Sequence, residues 1–156
     1  MRMDLGTLRK KRAARDSRIL VTGAAGFLGS HFAVALLEAG YRVTAVARPT
    51  KKLGAQARID QLADWFALEE EARRRLTVVE GDILDPAWAA GQAQAGRFDE
   101  IVHCASSTAF SERKRAEIEA TNIDGLENVL DFAARSGCGF FHHVSTAYVA
   151  GKRSGP

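Results

Sequence analysis

A chain of 156 residues that is 46% apolar and 26% charged has the composition of an ordinary globular protein. At this length one domain buries about 70% of the surface that its unfolded chain exposes, so an intrinsically disordered chain, a collagen repeat and a disulfide-stapled mini-domain are excluded. The formal charge of +3 is local, since residues 1–18 carry seven basic and two acidic residues and the remainder is net −2. Residues 1–17 therefore read as a solvated basic arm and residues 18–156 as the folded domain. The arm has no aromatic residue for base stacking, so a nucleic-acid partner is not expected. Cys104 and Cys138 form no CxxC pair and have no zinc-type spacing with histidine, which predicts a reducing, cytoplasmic setting with no disulfide and no metal. The run Ile19 to Leu37 lacks a formal charge and imitates a membrane span. Its three glycines and its polar Thr22, Ser30 and His31 predict a buried strand and a loop instead, with no transmembrane segment.

Arg18 to Thr22 (RILVT) is a β-branched, apolar run ending at a glycine, the pattern of a strand buried on both faces. GAAGFLG follows, and then SHFAVALLEAG, in which Phe32, Leu36 and Ala39 fall at helical spacing and Gly40 supplies a stop. Tyr41 to Ala47 predicts a second strand, ended by Arg48-Pro49 because proline cannot continue a central ladder. The period of Ile59, Leu62 and Phe66 predicts one helix over 59–75. Leu76 to Glu80 reads as strand three, and Asp85-Pro86 opens a short helix through about Gln94. Glu100 to Ala105 reads as strand four. A long helix from Ser111 to about Arg135, bent near Thr121 to Gly125, precedes a Ser136-Gly137 stop and a fifth strand over Phe140 to Thr146. Strands alternating with helices specify an α/β fold, a Rossmann-like doubly wound parallel sheet of five strands in the order 3-2-1-4-5.

Gly23, Gly26 and Gly29 give G-x-x-G-x-x-G directly after the first strand and directly before a helix. In that context the glycines serve a turn needing positive φ, a close approach of backbone to pyrophosphate, and tight helix-to-strand contact. The loop, with Ala25, Phe27 and Leu28 between its glycines, is the expected dinucleotide site. Choice of cofactor should be written at the end of strand two, where a carboxylate would hold ribose hydroxyls and a cation would accept a 2′-phosphate. The residues there are Ala47 and Arg48, with Lys51 and Lys52 close behind, which favours NADP(H) and leaves NAD(H) as the alternative.

TGAAGFLGSH, GDILD, VHCAS, NIDGLENVLDFA and HHVSTAYVAG together resemble the extended short-chain dehydrogenase/reductase family, part of the NAD-dependent epimerase/dehydratase superfamily. The resemblance spans about residues 18–155. HHVSTAYVAG and the Ala47-Arg48 ending point within it to the thioester-reductase and fatty-acyl-CoA-reductase-like (male sterility) branch. The resemblance implies that Asp82 and Ile83 flank the adenine, that Ala105 and Ser106 line the cofactor, and that Asn122 is the family's helix asparagine near the active site. It also implies a hydroxyl at the end of strand five, Thr146 with Ser145 as runner-up, that donates to a substrate carbonyl as hydride arrives.

The family's acid is a tyrosine four residues before a lysine on a helix. Tyr148 and Lys152 have that spacing here, but Gly151 between them and the strand exit just before them disfavour a shared helical face. The pair is read as a coincidence, with the working pair expected beyond Pro156. The chain thus reads as the N-terminal piece of a longer protein and as inactive alone, with an unpaired strand-five edge prone to self-association. His142 and His143 are adjacent, so they point to opposite faces of a strand and cannot easily share an ion, while His103 reads as a satisfied interior imidazole. The resulting expectation is the NADP(H)-binding half of an oxidoreductase that reduces a carbonyl or thioester on a small-molecule or acyl-carrier substrate. Two readings compete with it: an NAD-dependent nucleotide-sugar epimerase/dehydratase, and a non-catalytic NAD(P)-sensing regulator.

Overall fold

The computed structural model describes residues 17–88 and 97–146. Five strands, β1 (Arg18–Thr22), β2 (Arg42–Ala47), β3 (Leu76–Glu80), β4 (Glu100–His103) and β5 (Phe140–His143), form one sheet in the order β3-β2-β1-β4-β5. All four pairings are parallel. Each strand is four to six residues long. The apolar run 19–37 resolves into β1, a glycine turn and helix α1 (Phe27–Glu38). No helix among the described residues is long and apolar enough to cross a membrane.

The two faces of the sheet are filled differently. On one face small residues such as Ala33, Ala45 and Ala63 bring α1 and α2 (Ala55–Trp65) close to β1 and β2. On the other, Phe98, Phe132 and Trp88 fill the space, with Phe132 5.4 Å from Trp88 and 6.0 Å from Phe98, centroid to centroid. Each of these rings contributes roughly 2–3 kcal/mol through burial. Helix α5 (Gly125–Ser136) supplies Val129 and Phe132 to this face.

The single helix expected over 59–75 is two helices, α2 and the one-turn α3 (Glu70–Arg73). Between them Ala67 adopts φ +48°, its N–H donates to Asp64 C=O, and the Leu68 N–H reaches Ala63 C=O. This is a Schellman termination, and the buried Leu68 side chain is what draws the chain out of the helix. Helices α1 and α5 end with the same two bonds, at Gly40 and Gly137, where positive φ carries no Cβ penalty. The bend expected near Thr121 to Gly125 is a π-helical stretch, Ala120–Asp124, joining α4 (Arg115–Glu119) to α5. Strand five stops at His143, three residues short of its expected end, so Ser145 and Thr146 lie beyond the paired ladder. Strand four stops at His103, which leaves Cys104 and Ala105 in the loop that follows it. The helix expected through Gln94 begins at 86–88, and its remainder lies outside the described residues.

Candidate functional site

The strand order reverses between β1 and β4, and ligands of open α/β sheets bind where this happens, beyond the carboxyl ends of the strands. A cavity of about 220 Å³ opens there, lined by residues that follow each of the first four strands. Its floor is the glycine turn. Gly23 has φ +67°, and a Cβ on it would lie 2.7 Å from Ala105 N. A Cβ on Gly29 would run into the Gly23 carbonyl. The Gly26 N–H donates to Gly23 C=O at 2.9 Å, closing the turn and setting Gly26 as the N-cap of α1. The first amides of α1 have no intrahelical acceptor and meet no capping side chain, so this end of the helix is a built anion cradle.

Side chains complete the walls. Arg48 follows β2 and reaches Asp82 Oδ2 with Nη1 at 3.4 Å, a long and solvent-exposed contact of little energetic weight. Arg58, on α2, donates to the Arg48 carbonyl at 2.5 Å and also lines the cavity. Two guanidiniums therefore face the end of β2, and among the described residues no carboxylate lines the cavity. Asp82 Oδ1 accepts the Leu84 N–H at 3.0 Å, which shapes the turn after β3 and leaves buried Ile83 against the pocket.

Beneath the floor, Thr22 Oγ1 lies 2.8 Å from Nδ1 of His103 and accepts the Ala105 N–H at 3.4 Å. The ring tautomer sets which of the two groups donates in this bond. Burial, and then the neighbouring His143, hold the His103 pKa down to about 4. Burial also pushes the Cys104 thiol up, so the sulfur that lines the pocket stays protonated and serves as wall, not as nucleophile. Asn122, in the π-helical stretch, accepts the Ser107 N–H at 2.7 Å and donates to Ser107 C=O at 3.0 Å. Its amide clamps the loop after β4 and puts Thr121 on the cavity wall.

Of the residues expected from sequence, Gly23, Ala25, Gly26, Arg48, Ile83, Ala105 and Ser106 line this one cavity. Gly29 packs under it, Asp82 meets Arg48, and Asn122 acts through Ser107. Phe27, Leu28 and Lys52 point to solvent, and Phe27 is 79% exposed. Ser145 and Thr146 are exposed beyond β5 and are not among the lining residues. Tyr148, Lys152 and nearly all of the basic arm lie outside the described residues. His142 pairs with Glu100 at 2.7 Å while His143 stacks on His103, so the two adjacent imidazoles do diverge. Arg58 and Thr121 were missed by sequence reading. Each sits on a helix remote in sequence from the glycine loop, and only their proximity to it reveals them.

The profile of the family described as male sterility protein matches residues 21–156. The chain belongs to that family. It is a nicotinamide-dinucleotide-binding domain of the short-chain dehydrogenase/reductase type, with relatives among both epimerase/dehydratases and thioester reductase domains. It is 36% identical over 143 residues to dTDP-glucose 4,6-dehydratase of Actinoplanes sp., covering 86% of this chain and 41% of that protein. The terminal R domain of the myxalamid PKS-NRPS biosynthetic pathway superposes with a TM-score of 0.76 at 27% identity, over 93% of this chain and 38% of that one. The Bordetella bronchiseptica enzyme WbmH, solved with NAD+, superposes with a TM-score of 0.69 at 28% identity, over 88% and 42%. The chain spans about two fifths of the length of the curated relatives it matches first.

Proposed function

We propose that this domain is the NADP(H)-binding half of a reductase that delivers hydride to a carbonyl or thioester carried on a small molecule or an acyl carrier. The observation that carries the reading is the pair Arg48 and Arg58 at the end of β2, facing a cavity that no carboxylate lines among the described residues. A 2′-phosphate beside two planar guanidiniums gains charge-assisted, bidentate hydrogen bonds, whereas an acidic residue in their place would repel it. Superposition on the myxalamid R domain supports the reductase side.

The residues present fit a dinucleotide. Gly23, Gly26 and Gly29 let the turn close tightly, since a Cβ on any of them would crowd neighbouring backbone, and the α1 amides face the pyrophosphate position. Ile83 and Asp82 flank the adenine position, while Ala105 and Ser106 border the dinucleotide as it crosses toward β5. The bound nicotinamide supplies hydride. Thr146, with Ser145 as the alternative, is the hydroxyl proposed to donate to the substrate oxygen as charge grows on it. The Asn122 clamp on Ser107 holds the intervening loop in register.

A dehydratase or epimerase is the second reading, favoured by the 36% identity to dTDP-glucose 4,6-dehydratase. Titration with NADPH and NADH separates the two. The reductase reading expects NADPH to bind more tightly, with Arg48→Ala and Arg58→Ala each lowering its affinity about tenfold or more and leaving NADH unchanged. Equal affinities, or a preference for NADH, would overturn it.

A further inference from the structure

The helical segment that runs from the π-helical stretch into α5 reaches the walls of the glycine-loop cavity twice. Asn122 holds Ser107, in the loop after β4. Further along, on α5 itself, Asn128 Nδ2 donates to the Ile83 carbonyl at 2.9 Å, in the turn after β3. A carbonyl can only accept, so the partner itself fixes which end of the asparagine amide faces it. The other bonds of that turn run through its neighbour: Asp82 Oδ1 accepts the Leu84 N–H, and Asp82 C=O accepts the Asp85 N–H at 3.0 Å. The Ile83 main chain is therefore tied not to its own turn but to α5.

The Ile83 side chain meets the same helix. Gly125, the first residue of α5, is buried and has an ordinary helical φ of −62°, so no backbone strain calls for glycine there. Space does. A Cβ on Gly125 would lie 2.7 Å from Ile83 Cδ1 and 3.0 Å from Cγ1, closer than carbon atoms pack. Glycine is otherwise a poor choice within a helical run. Ile83 itself is 6% exposed, packs with Val129 and Phe132 of α5, and lines the cavity.

We infer that Asn128 and Gly125 are positioning residues for the adenine wall, which set the depth of Ile83, one by fixing its main chain and the other by leaving room beneath its Cδ1. The inference rests on the dinucleotide reading of this cavity. An aliphatic side chain holds a flat base through dispersion, which loses a quarter to a half of its strength over a gap of about 0.5–1 Å. Depth is therefore affinity. An Ile83 that is freed from Asn128 can draw back from the base, and one that is pushed up from position 125 intrudes on it.

The test is calorimetric titration of this chain and its variants with 2′,5′-ADP and with 5′-AMP, read beside urea unfolding. Gly125→Ala should lower the affinity for both nucleotides about fivefold or more, although alanine favours the helix. In an Ile83→Val background, which lacks Cδ1, the same substitution should alter either affinity by no more than about twofold. Asn128→Leu, similar in size but without the N–H donor, should also weaken both about fivefold or more. Should Gly125→Ala fail to fold, Asn128→Leu alone decides. Affinities that stay at the wild-type value while stability falls would overturn the inference, as would a loss in Gly125→Ala that Ile83→Val does not relieve. Equal binding of the two nucleotides by the wild type would remove the NADP(H) reading and leave this inference standing, because both probes carry the adenine. Failure of the wild type to bind either would overturn the dinucleotide reading and this inference with it.

Discussion

The two rims of the sheet are built from opposite materials. At the carboxyl rim the binding surface is mostly backbone: three glycines remove side chains, and the first turn of α1 presents amides. At the amino rim, where the strands begin, a hollow is walled instead by the long side chains of Arg18, Arg42, Arg74 and Arg75. A backbone site has little freedom to adapt, because a single added methyl meets another main chain.

Gly29→Ala should break the carboxyl rim outright, since its Cβ would run into the Gly23 carbonyl. A loss of about 3 kcal/mol in urea unfolding and of dinucleotide binding is expected, against a small change for Arg42→Ala. Equal tolerance of the two would erase the contrast. The buried Thr22–His103 pair beneath the carboxyl rim gives a pH signature of similar size. Because the His103 pKa falls from 6.5 to about 4 on folding, the unfolded chain binds the extra proton between those values. Stability is therefore full above pH 6.5 and falls by about 3 kcal/mol as pH drops toward 4, where the effect saturates. The difference in unfolding free energy between wild type and His103→Leu should shrink over that window, and a constant difference would sink the assignment.

Asn122→Ala removes both bonds to Ser107 and should cost about 2 kcal/mol, seen as faster hydrogen exchange at the Ser107 amide. The smallest effects come from the helix ends. Gly137→Ala, at φ +65° with open space around it, should destabilise by about 1 kcal/mol purely through backbone strain. Ala67→Gly, at φ +48°, should stabilise by roughly 0.5 kcal/mol, as a shift of the thermal midpoint of opposite sign.

These helix ends show how much was legible beforehand. The stops at Gly40 and Gly137 were read from sequence because glycine advertises positive φ, whereas the identical motif at Ala67 went unseen, since burial of Leu68 and not local preference imposes it. The cofactor site divides in the same way. Gly23, Ala25, Gly26, Arg48, Ile83, Ala105 and Ser106 line one cavity because each closely follows a strand, so chain order alone brings them to one rim. Phe27 and Leu28, also expected in the dinucleotide loop, have exposed side chains, so what they offer this rim is their first-turn amides.

By itself the sequence determined the layered α/β architecture and the glycine turn, because apolar runs, helical period and glycine spacing are local properties that survive without a fold. Only the tertiary structure decided what distant residues share. It brought Arg58 to Arg48, set Asn122 on Ser107, fastened His103 to Thr22, and gathered Arg18, Arg42, Arg74 and Arg75 into one hollow. Such sites are products of strand register and crossover packing, which join residues dozens of positions apart and leave no periodic trace along the chain.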